Sequence, residues 1–228
     1  MRTLIKKGIK NPQKIPPYLI GKLFPSLTRS HWRSGDEVRF REGGYVTHAN
    51  NRPEFSASIY YELGFFEEVL PDDNFFHVLE VGCGYGRLSP WISEYGSDYV
   101  GVDIDAEALN MASNLYPNLS FQQGNVAEIN FDEDNFDLVV SNTVLHHLPP
   151  DVFQDAVSNI SRIMTENGTF CMAGVTEGPG NDMTWVRSEK EYEDHFAEYG
   201  FTMRDSVDRD LPWRDSTEWV NTIMCFER

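Results

Sequence analysis

The chain changes character near residue 75, where short apolar runs begin to alternate with amphipathic stretches and turns. Each run has the length of a buried strand and is bounded by glycine or polar residues. The runs are FFHVLEVG, YVGVDI, LSFQQ, FDLVVSN and TFCMAGV, and two further strand-like pieces, FTMRDSV and WVNTIMCFE, end the chain. FDLVVSN is apolar enough to be a central strand that is covered on both faces of a sheet.

The segments between these strands have helical periodicity. Apolar residues recur every three or four positions in residues 105–116 and 151–168, and a shorter helix is predicted within residues 86–96. A last helix, SEKEYEDHFAEYG, opens with a capping box and ends at glycine. Because strands and helices alternate, the pattern predicts an α/β fold. We expect a Rossmann-like, doubly wound, seven-stranded and mostly parallel sheet with an antiparallel C-terminal strand.

The residues before this pattern divide into two segments. Residues 1–35 hold eight cations and no acid, and their prolines interrupt any long helix, so they are predicted to form a basic arm. Residues 36–74 are predicted to be a helical segment that contacts the substrate, and residues 75–228 to be the cofactor-binding domain. The arm either lies on the protein's own acidic body or contacts an anionic membrane surface or a charged substrate.

Net charge restricts the partners. The chain carries a formal charge of −17, and the part after the arm has 11 cations against 36 acids, a formal −25. Such a body should repel nucleic acid, so no nucleic-acid partner is expected. Lysine is also scarce, with six residues against 13 arginines. An acid excess with few lysines is typical of proteins from a salt-adapted cytoplasm, and an ordinary acidic enzyme is the alternative.

The cysteines and the hydropathy pattern predict a compartment. Cys83, Cys171 and Cys225 are odd in number and widely spaced, which indicates reduced thiols rather than a disulfide framework or a zinc site. No metal is expected. No apolar run has the length of a membrane span, and no apolar stretch follows the basic start as in a signal peptide. The predicted location is the cytoplasm, with peripheral contact at the inner membrane face through residues 1–30 as an open alternative.

The stretch HVLEVGCGYGRL, residues 77–88, joins a buried strand to a glycine-rich turn. A phosphate-binding loop would need a Gly-Lys-Ser/Thr ending, and a dinucleotide fingerprint would need a third glycine where Arg87 stands. Glu80 would also repel a pyrophosphate in a partly buried cleft. The stretch therefore indicates a large ligand that brings positive charge and lies close against the backbone.

Several ordered motifs resemble those of the class I S-adenosylmethionine-dependent methyltransferases. VLEVGCGYGRL resembles their motif I, E/D-x-G-x-G-x-G, and VGVDI resembles the end of their second strand. FQQGNVAEINFDEDNFDLVVSNTVLHHL resembles their block from the third to the fourth strand in the small-molecule branch. The resemblance covers residues 75–228. It implies S-adenosyl-L-methionine as the cofactor and a small-molecule or sugar acceptor as the substrate.

The same resemblance implies a role for each matching residue. Glu80 would hold the cofactor's ammonium, Asp103 would accept both ribose hydroxyls, and Ile104 would pack on the adenine. Asn125 stands where the family usually has Asp, which implies weaker binding of the adenine amino group, and Val126 would offer its backbone N–H. The remaining cofactor contacts are close backbone approach at the glycines, a loop-filling cysteine and the strand-four carbonyls, at Gly82, Cys83, Gly84, Gly86, Ser141 and Asn142.

The catalytic group is predicted from the HHL that follows strand four. Transfer of a methyl group to a hydroxyl needs a base near neutral pKa, and His146, the first choice, or His147 could supply it. A packing role for these histidines is the alternative. A carboxylate acceptor would need no base, because it is already a nucleophile.

The acceptor itself is predicted from weaker signals. Arg33, Arg39, Arg41, Arg52 and Arg187 either bind an anionic substrate or pair with the acidic body. The start LIKKGIKNPQKIPPYLIGKLFP resembles the starts of enzymes of cell-surface glycan assembly. Together with the acidic composition, this resemblance suggests a haloarchaeal enzyme that O-methylates an acidic sugar in a lipid-linked or surface glycan. A catalytically silent methyltransferase-fold subunit and an NAD(P)-dependent oxidoreductase are the alternatives. The oligomeric state stays open.

Overall fold

The computed structural model describes residues 63–71, 75–181, 183–209 and 219–228. The basic arm and nearly all of the segment predicted to contact the substrate lie outside these residues, and so do Arg33, Arg39, Arg41 and Arg52. Residues 63–69 are helical. From Phe66 onward, the described residues form one compact unit.

The sheet has seven strands: β1 (Phe75–Val81), β2 (Gly96–Asp103), β3 (Ser120–Gln123), β4 (Phe136–Asn142), β5 (Met164–Glu177), β6 (Thr202–Asp208) and β7 (Val220–Glu227). Their order across the sheet is β3-β2-β1-β4-β5-β7-β6. Strands β1 to β5 pair in parallel, whereas β7 runs antiparallel to both of its neighbours. The predicted mostly parallel sheet with an antiparallel C-terminal strand is confirmed.

Four α-helices connect the strands: α1 (Ser89–Ile92), α2 (Ala106–Leu115), α3 (Pro150–Ile163) and α4 (Glu189–Ala197). The chain also has two 3-10 turns, one at Ser93–Tyr95 directly after α1 and one at Leu145–His147 between β4 and α3. The predicted capping box opens α4, where Ser188 accepts from the Glu191 N–H and the Glu191 carboxylate accepts from the Ser188 N–H. This reciprocal pair satisfies donors that the first turn of a helix leaves open.

Two helices are shorter than the sequence predicts. Apolar periodicity extends the third helix to Gly168, but α3 ends at Ile163 and residues 164–168 already belong to β5. Met164 is fully buried and pairs with Phe136 of β4. This pairing in the sheet ends the helix at a point where the apolar periodicity alone would continue it. The helix predicted in residues 86–96 is one α-turn followed by a 3-10 turn.

The core lies between the central strands and the helices α3 and α4. Phe170 of β5, Phe226 of β7 and Phe196 of α4 have no exposed surface, and their rings lie 4.7–6.1 Å apart between centroids. Burial of one such side chain contributes about 1.5–3 kcal/mol. The core thus fixes β4 and β5, and with them the strand ends that carry the candidate site.

The prediction of three reduced thiols is wrong for two of them. Cys171 of β5 and Cys225 of β7 lie directly opposite each other in the antiparallel pair, with 4.3 Å between their Cα atoms, and form a disulfide. The two residues are 54 positions apart in the chain, so their meeting depends on how the C-terminal strand inserts into the sheet. Cys83 remains a free, buried thiol.

Candidate functional site

The candidate site lies at the carboxyl ends of β1, β2 and β4, which are neighbours in the sheet. The glycine-rich loop follows β1 directly, and the N–H groups of Gly82 and Cys83 both donate to the Val102 carbonyl, at 2.7 and 3.0 Å. These bonds hold the start of the loop on β2. Ligands of open α/β sheets bind at this edge, so the loop stands where a nucleoside cofactor would lie.

The three loop glycines are needed for different reasons. All three have positive φ, at 74°, 54° and 81° for Gly82, Gly84 and Gly86. A Cβ at Gly82 would lie 2.0 Å from Val144 Cγ2, and one at Gly86 would lie 3.0 Å from the Tyr116 ring. Only at Gly84 would a Cβ enter open space. The positive φ angles agree with the expected turn. The protein's own packing already excludes a side chain at Gly82 and Gly86, and Gly84 leaves room for a ligand.

Glu80 lies inside the protein just before the loop, with 3% of its surface exposed. Its Oε2 atom accepts hydrogen bonds from the hydroxyls of Ser89, at 2.6 Å, and Tyr99. Burial raises the pKa of Glu80 to about 7, although these two donors and the Arg87 charge oppose the increase. The carboxyl is therefore poised to change charge near neutral pH when a cation approaches.

Asp103 ends β2 and lies against the loop. Its Oδ2 accepts from the Gly84 N–H at 2.8 Å, and its Oδ1 accepts from the Asp105 N–H at 2.9 Å. Each carboxylate oxygen keeps a second lone pair, which suits a pair of neighbouring hydroxyls. Partial burial raises the pKa of Asp103. Ile104, the next residue, is 51% exposed, an unusual exposure for a large apolar side chain beside a polar site.

Asn125 and Val126 lie in the loop after β3, which side chains of α3 hold in place. The Asn125 side-chain oxygen accepts from the Ala127 N–H at 3.1 Å, so a local turn already uses it. Asn159 donates to the Val126 carbonyl at 2.8 Å, and Arg162 donates to the Phe131 carbonyl at 2.8 Å. The loop that is predicted to meet the adenine is therefore fixed by tertiary hydrogen bonds.

The end of β4 is buried and strained. Ser141 and Asn142 are both buried, and the Ser141 hydroxyl has no hydrogen-bond partner among the residues that the structure describes. Thr143 follows with φ at 61°, a left-handed conformation that is rare for a β-branched residue. Its N–H donates to the Ala173 carbonyl at 2.9 Å, which ties this turn to β5. Strain of this kind costs about 1–3 kcal/mol and is concentrated at functional sites.

His146 and His147 lie on the 3-10 turn that follows, with ring centroids 4.1 Å apart. His146 is 4% exposed, whereas His147 is half-buried. The Nδ1 atom of His147 lies 2.6 Å from the Met183 carbonyl oxygen. A carbonyl only accepts, so this contact places a proton on Nδ1 and the lone pair of the neutral ring on Nε2. Loss of solvation lowers the pKa of His147, which favours this neutral form.

Arg187 has a different role from both of those that its sequence context suggests. The guanidinium is buried and donates to the carbonyls of Leu145 and Leu148, at 3.3 and 2.8 Å. It also lies 4.0 Å above the centre of the Phe153 ring. Instead of facing an anionic substrate or the acidic surface, Arg187 holds the turn that carries the two histidines.

The sequence does not reveal several residues that shape the site. Ser89 and Tyr99 bind Glu80, Val144 packs on Gly82, and Met183 orients His147. Of these residues, only Ser89 could have been suspected from the sequence, because it directly follows the stretch HVLEVGCGYGRL and lies in the short helix predicted there. The other contacts join residues of different elements and depend on the completed sheet.

The site fits S-adenosylmethionine on three independent points. Open space lies above Gly84, where a Cβ would otherwise project. A buried carboxyl, Glu80, can take a cation, and Asp103 can take a diol. These residues occupy adjacent strand ends, as a nucleoside with an attached amino acid requires. Where this cofactor binds, Glu80, Gly84 and Asp103 would hold it.

Comparison with known proteins gives the same class. A family model described as a methyltransferase domain matches residues 79–172. A protein of Synechocystis, named as an uncharacterized methyltransferase, is 30% identical over 108 residues, which are 47% of this chain and 50% of that protein. A ubiquinone biosynthesis O-methyltransferase of Coxiella burnetii is 28% identical over 96 residues, which are 40% of each chain.

The fold also resembles that of a solved methyltransferase structure over most of the chain. The crystal structure of the 1,6-didemethyltoxoflavin-N1-methyltransferase of Burkholderia thailandensis, with S-adenosylhomocysteine bound, matches with a TM-score of 0.60 and 21% identity. The match covers 75% of this chain and 78% of that one. The family match over residues 79–172, the fold and the site together support a class I S-adenosylmethionine-dependent methyltransferase.

The family and the predicted cofactor class are confirmed by these findings, which also disfavour the nicotinamide oxidoreductase. The chain matches half of the Synechocystis relative's length and 40% of the Coxiella relative's.

No helix in the described part of the chain is both long and apolar enough to cross a membrane.

Proposed function

We propose that this protein transfers the methyl group of S-adenosylmethionine to a small-molecule acceptor. The observation that carries the proposal is the convergence of Glu80, Asp103 and the open space above Gly84 at one edge of the sheet. Val144 packs against Gly82 at this edge, and the turn with His146 and His147 follows it directly. A cofactor cradle and a candidate base are thus neighbours.

His147, rather than His146, is the candidate base. S-adenosylmethionine, when bound, supplies an electrophilic methyl group on a sulfonium sulfur. His147 would accept the proton of an acceptor hydroxyl on Nε2, while the Met183 carbonyl stabilises the proton on Nδ1. His146 is more deeply buried, and its own carbonyl accepts from the Trp185 N–H at 2.8 Å, which suits a packing role.

Oxygen is the proposed methyl acceptor. The support is the neutral His147, because a hydroxyl needs a base at neutral pH, whereas a carboxylate does not. The two named relatives act on different atoms, one an O-methyltransferase and one an N1-methyltransferase. The choice of oxygen therefore depends on the side chains of this chain and not on the names of its relatives.

The test combines binding and turnover. Calorimetric titration of the full chain with S-adenosylmethionine should show binding to one site, and an assay with labelled cofactor should detect transfer to hydroxyl acceptors. His147→Gln should lower turnover by roughly 100-fold or more while cofactor affinity is kept. His146→Gln is the matched control and should retain most of the turnover. Equal losses in the two variants would overturn the assignment of the base, and absence of cofactor binding would overturn the function.

We propose an acidic sugar, in a lipid-linked or surface glycan, as the acceptor. The support is the charge of residues 1–35, which could meet an anionic lipid or glycan, and the resemblance of the chain's start. Glycans from a strain lacking this protein should have lost one methyl group. Removal of residues 1–30 should release the protein from membranes in fractionation. Unchanged glycans, with a methyl group lost from another metabolite, would redirect the search for the acceptor.

The second candidate is a catalytically silent methyltransferase-fold subunit. In that case the cradle would bind cofactor, but His147 would serve only to pack the turn. Cofactor binding without turnover on any acceptor class, together with a co-purifying protein, would favour this alternative.

A further inference from the structure

Two hydroxyls converge on one oxygen of the buried Glu80. Ser89, at the start of α1, and Tyr99, in β2, both donate to Oε2, and neither donates to Oε1. Ser89 has no exposed surface, and Tyr99 is 7% exposed. The three side chains form a closed cluster from three different elements of the fold. One carboxylate oxygen is therefore anchored, which fixes the direction in which the other points.

Gly101 makes this cluster possible. Gly101 is the β2 partner of Glu80, and Tyr99 lies two residues earlier on the same face of that strand. A Cβ at Gly101 would lie 2.7 Å from the Tyr99 hydroxyl oxygen and 3.0 Å from Cys83 Sγ. Because Gly101 has no side chain, the Tyr99 side chain can lie across this position and bring its hydroxyl to Glu80 without a steric clash.

We propose that Ser89 and Tyr99 are positioning residues that anchor Oε2 of Glu80, so that Oε1 receives the ammonium of the cofactor, and that this binding displaces a proton from Glu80 to solvent. The inference rests on the proposed cofactor-binding function and deepens it. Glu80 itself follows from the family resemblance, whereas the two hydroxyls and the coupled proton do not.

The groups around Glu80 support the release of a proton. Burial raises the pKa of Glu80 to about 7, so without a cation the carboxyl is partly protonated at neutral pH. The other charged or titratable neighbours among the described residues are Arg87, which lowers this pKa, Asp103, which raises it, and the neutral side chains of Cys83 and Tyr116. Burial keeps the pKa of Tyr99 well above its usual range, so its hydroxyl stays a donor. An approaching ammonium favours the charged carboxylate, and the proton leaves.

The test compares three nucleosides on the full chain by calorimetry between about pH 6 and pH 8.5. S-adenosylmethionine and S-adenosylhomocysteine both carry the ammonium, whereas 5′-methylthioadenosine lacks the amino-acid part. Affinity for the first two should rise about fivefold between about pH 6 and pH 7, as the charged fraction of Glu80 grows from about one tenth to one half, and then level off. Their binding heats should also differ between buffers of different ionisation enthalpy, which reports the released proton. The affinity of 5′-methylthioadenosine should be independent of pH.

Variants separate a positioning role from a structural one. Ser89→Ala and Tyr99→Phe should each move the inflection of the affinity profile to higher pH, because each removes a donor that favours the charged carboxylate. At pH 7 they should weaken binding of the two ammonium-bearing nucleosides by roughly 3- to 10-fold and leave 5′-methylthioadenosine unchanged. Ser93→Ala is the matched control, since the Ser93 hydroxyl donates to the Pro90 carbonyl and not to Glu80.

Several results would overturn the inference. An inflection that stays in place in both variants, or an equal loss of affinity for all three nucleosides, would show that the hydroxyls only support the fold. A pH-dependent affinity for S-adenosylmethionine but not for S-adenosylhomocysteine would assign the cation to the sulfonium instead. If none of the three nucleosides binds the wild-type protein, the proposed function itself fails, and the inference fails with it.

Discussion

The site has two parts that are built in different ways. We call the strand ends of β1 and β2, with Glu80, Gly84 and Asp103, the cofactor edge, and the end of β4 with the turn Leu145–His147 the acceptor edge. At the cofactor edge, the hydrogen bonds to the Glu80 carboxyl and the one between Asp103 and the Gly84 N–H join residues 9 to 19 positions apart. At the acceptor edge, the hydrogen bonds to other elements join residues 30 to 42 positions apart, from Thr143 to Ala173 at one extreme and from Arg187 to Leu145 at the other. The first part is local in the chain, and the second depends on β5 and the segment after it.

At both edges, burial favours the uncharged form of a titratable side chain. Loss of solvation disfavours the charged form of any group, so it raises the pKa of the Glu80 carboxyl and lowers the pKa of the His147 imidazole. Both changes favour a neutral group before a ligand arrives. The cofactor edge is thereby ready to release a proton, and the acceptor edge is ready to take one.

The largest expected effect is at the cofactor edge, with Gly82→Ala. The new Cβ would lie 2.0 Å from Val144 Cγ2 at a positive φ, and these two penalties together should cost more than about 3 kcal/mol in the free energy of unfolding. Because Val144 begins the turn of the acceptor edge, this variant should damage both edges. Urea unfolding and cofactor titration would measure the two effects.

Gly84→Ala is the matched variant, because its Cβ meets nothing within 4 Å. It should cost only about 1 kcal/mol of stability, from the positive φ, yet it should still lose cofactor affinity, since the methyl occupies the open space. Adding Val144→Ala to Gly82→Ala should restore part of the stability. Equal stability of the two single glycine variants would contradict the packing that links the edges.

Reduction of the Cys171–Cys225 disulfide should have the next largest effect. The bond links β5 to β7, and β5 holds Thr143 of the acceptor edge through the Ala173 carbonyl. Reduction should lower the free energy of unfolding by about 3 kcal/mol and leave cofactor affinity within about twofold. Unfolding with and without reductant would measure the change, with the double variant Cys171→Ala/Cys225→Ala as a control that reductant should not affect. Alkylation of three thiols in the unreduced protein would contradict the bond.

The sequence predicted the cofactor edge better than the acceptor edge for a physical reason. Glycines after an apolar run, and a carboxylate at the end of the next strand, are fixed by contacts within one strand-turn-helix unit, so Gly84 and Asp103 could be placed. The mostly parallel sheet also follows from the alternation of elements, and its antiparallel C-terminal strand is expected from the family resemblance. By contrast, the role of Arg187 under the histidine turn required the path of the chain after β5, and no local pattern encodes it.

The same limit explains the errors. Helical periodicity continues past Ile163, but pairing of Met164 with β4 decides the outcome, and that pairing is a tertiary contact. Likewise, three scattered cysteines predicted thiols, because the spacing of Cys171 and Cys225 has no meaning until β7 inserts beside β5. The proposal of His147 in place of His146 is not such an error but a preference, and it depends on burial and on the Met183 carbonyl, neither of which a sequence pattern shows.

A smaller effect is expected at the acceptor edge from Arg187→Met, which keeps the volume but removes the donors. The carbonyls of Leu145 and Leu148 would lose buried partners, so the free energy of unfolding should fall by about 2 kcal/mol. Turnover should fall as well, while cofactor affinity stays within about twofold. Arg204→Met, which breaks an exposed pair with Glu227, is the control and should change stability by less than about 0.5 kcal/mol. A large loss of cofactor affinity in Arg187→Met would mean that the two edges are not separable.

The smallest effect is the pH dependence of stability that His147 adds. Its pKa is lowered in the folded protein, so the unfolded chain binds a proton at a higher pH than the folded one does. The stability associated with the neutral ring is therefore present above the unfolded pKa of about 6.5 and is lost as pH falls toward the folded value. His147→Gln should remove this part of the decline below pH 6.5, measured by urea unfolding across pH 5 to 8. If the two pH profiles run parallel, the ring is not held neutral at the acceptor edge, and the proton it is proposed to take must go elsewhere.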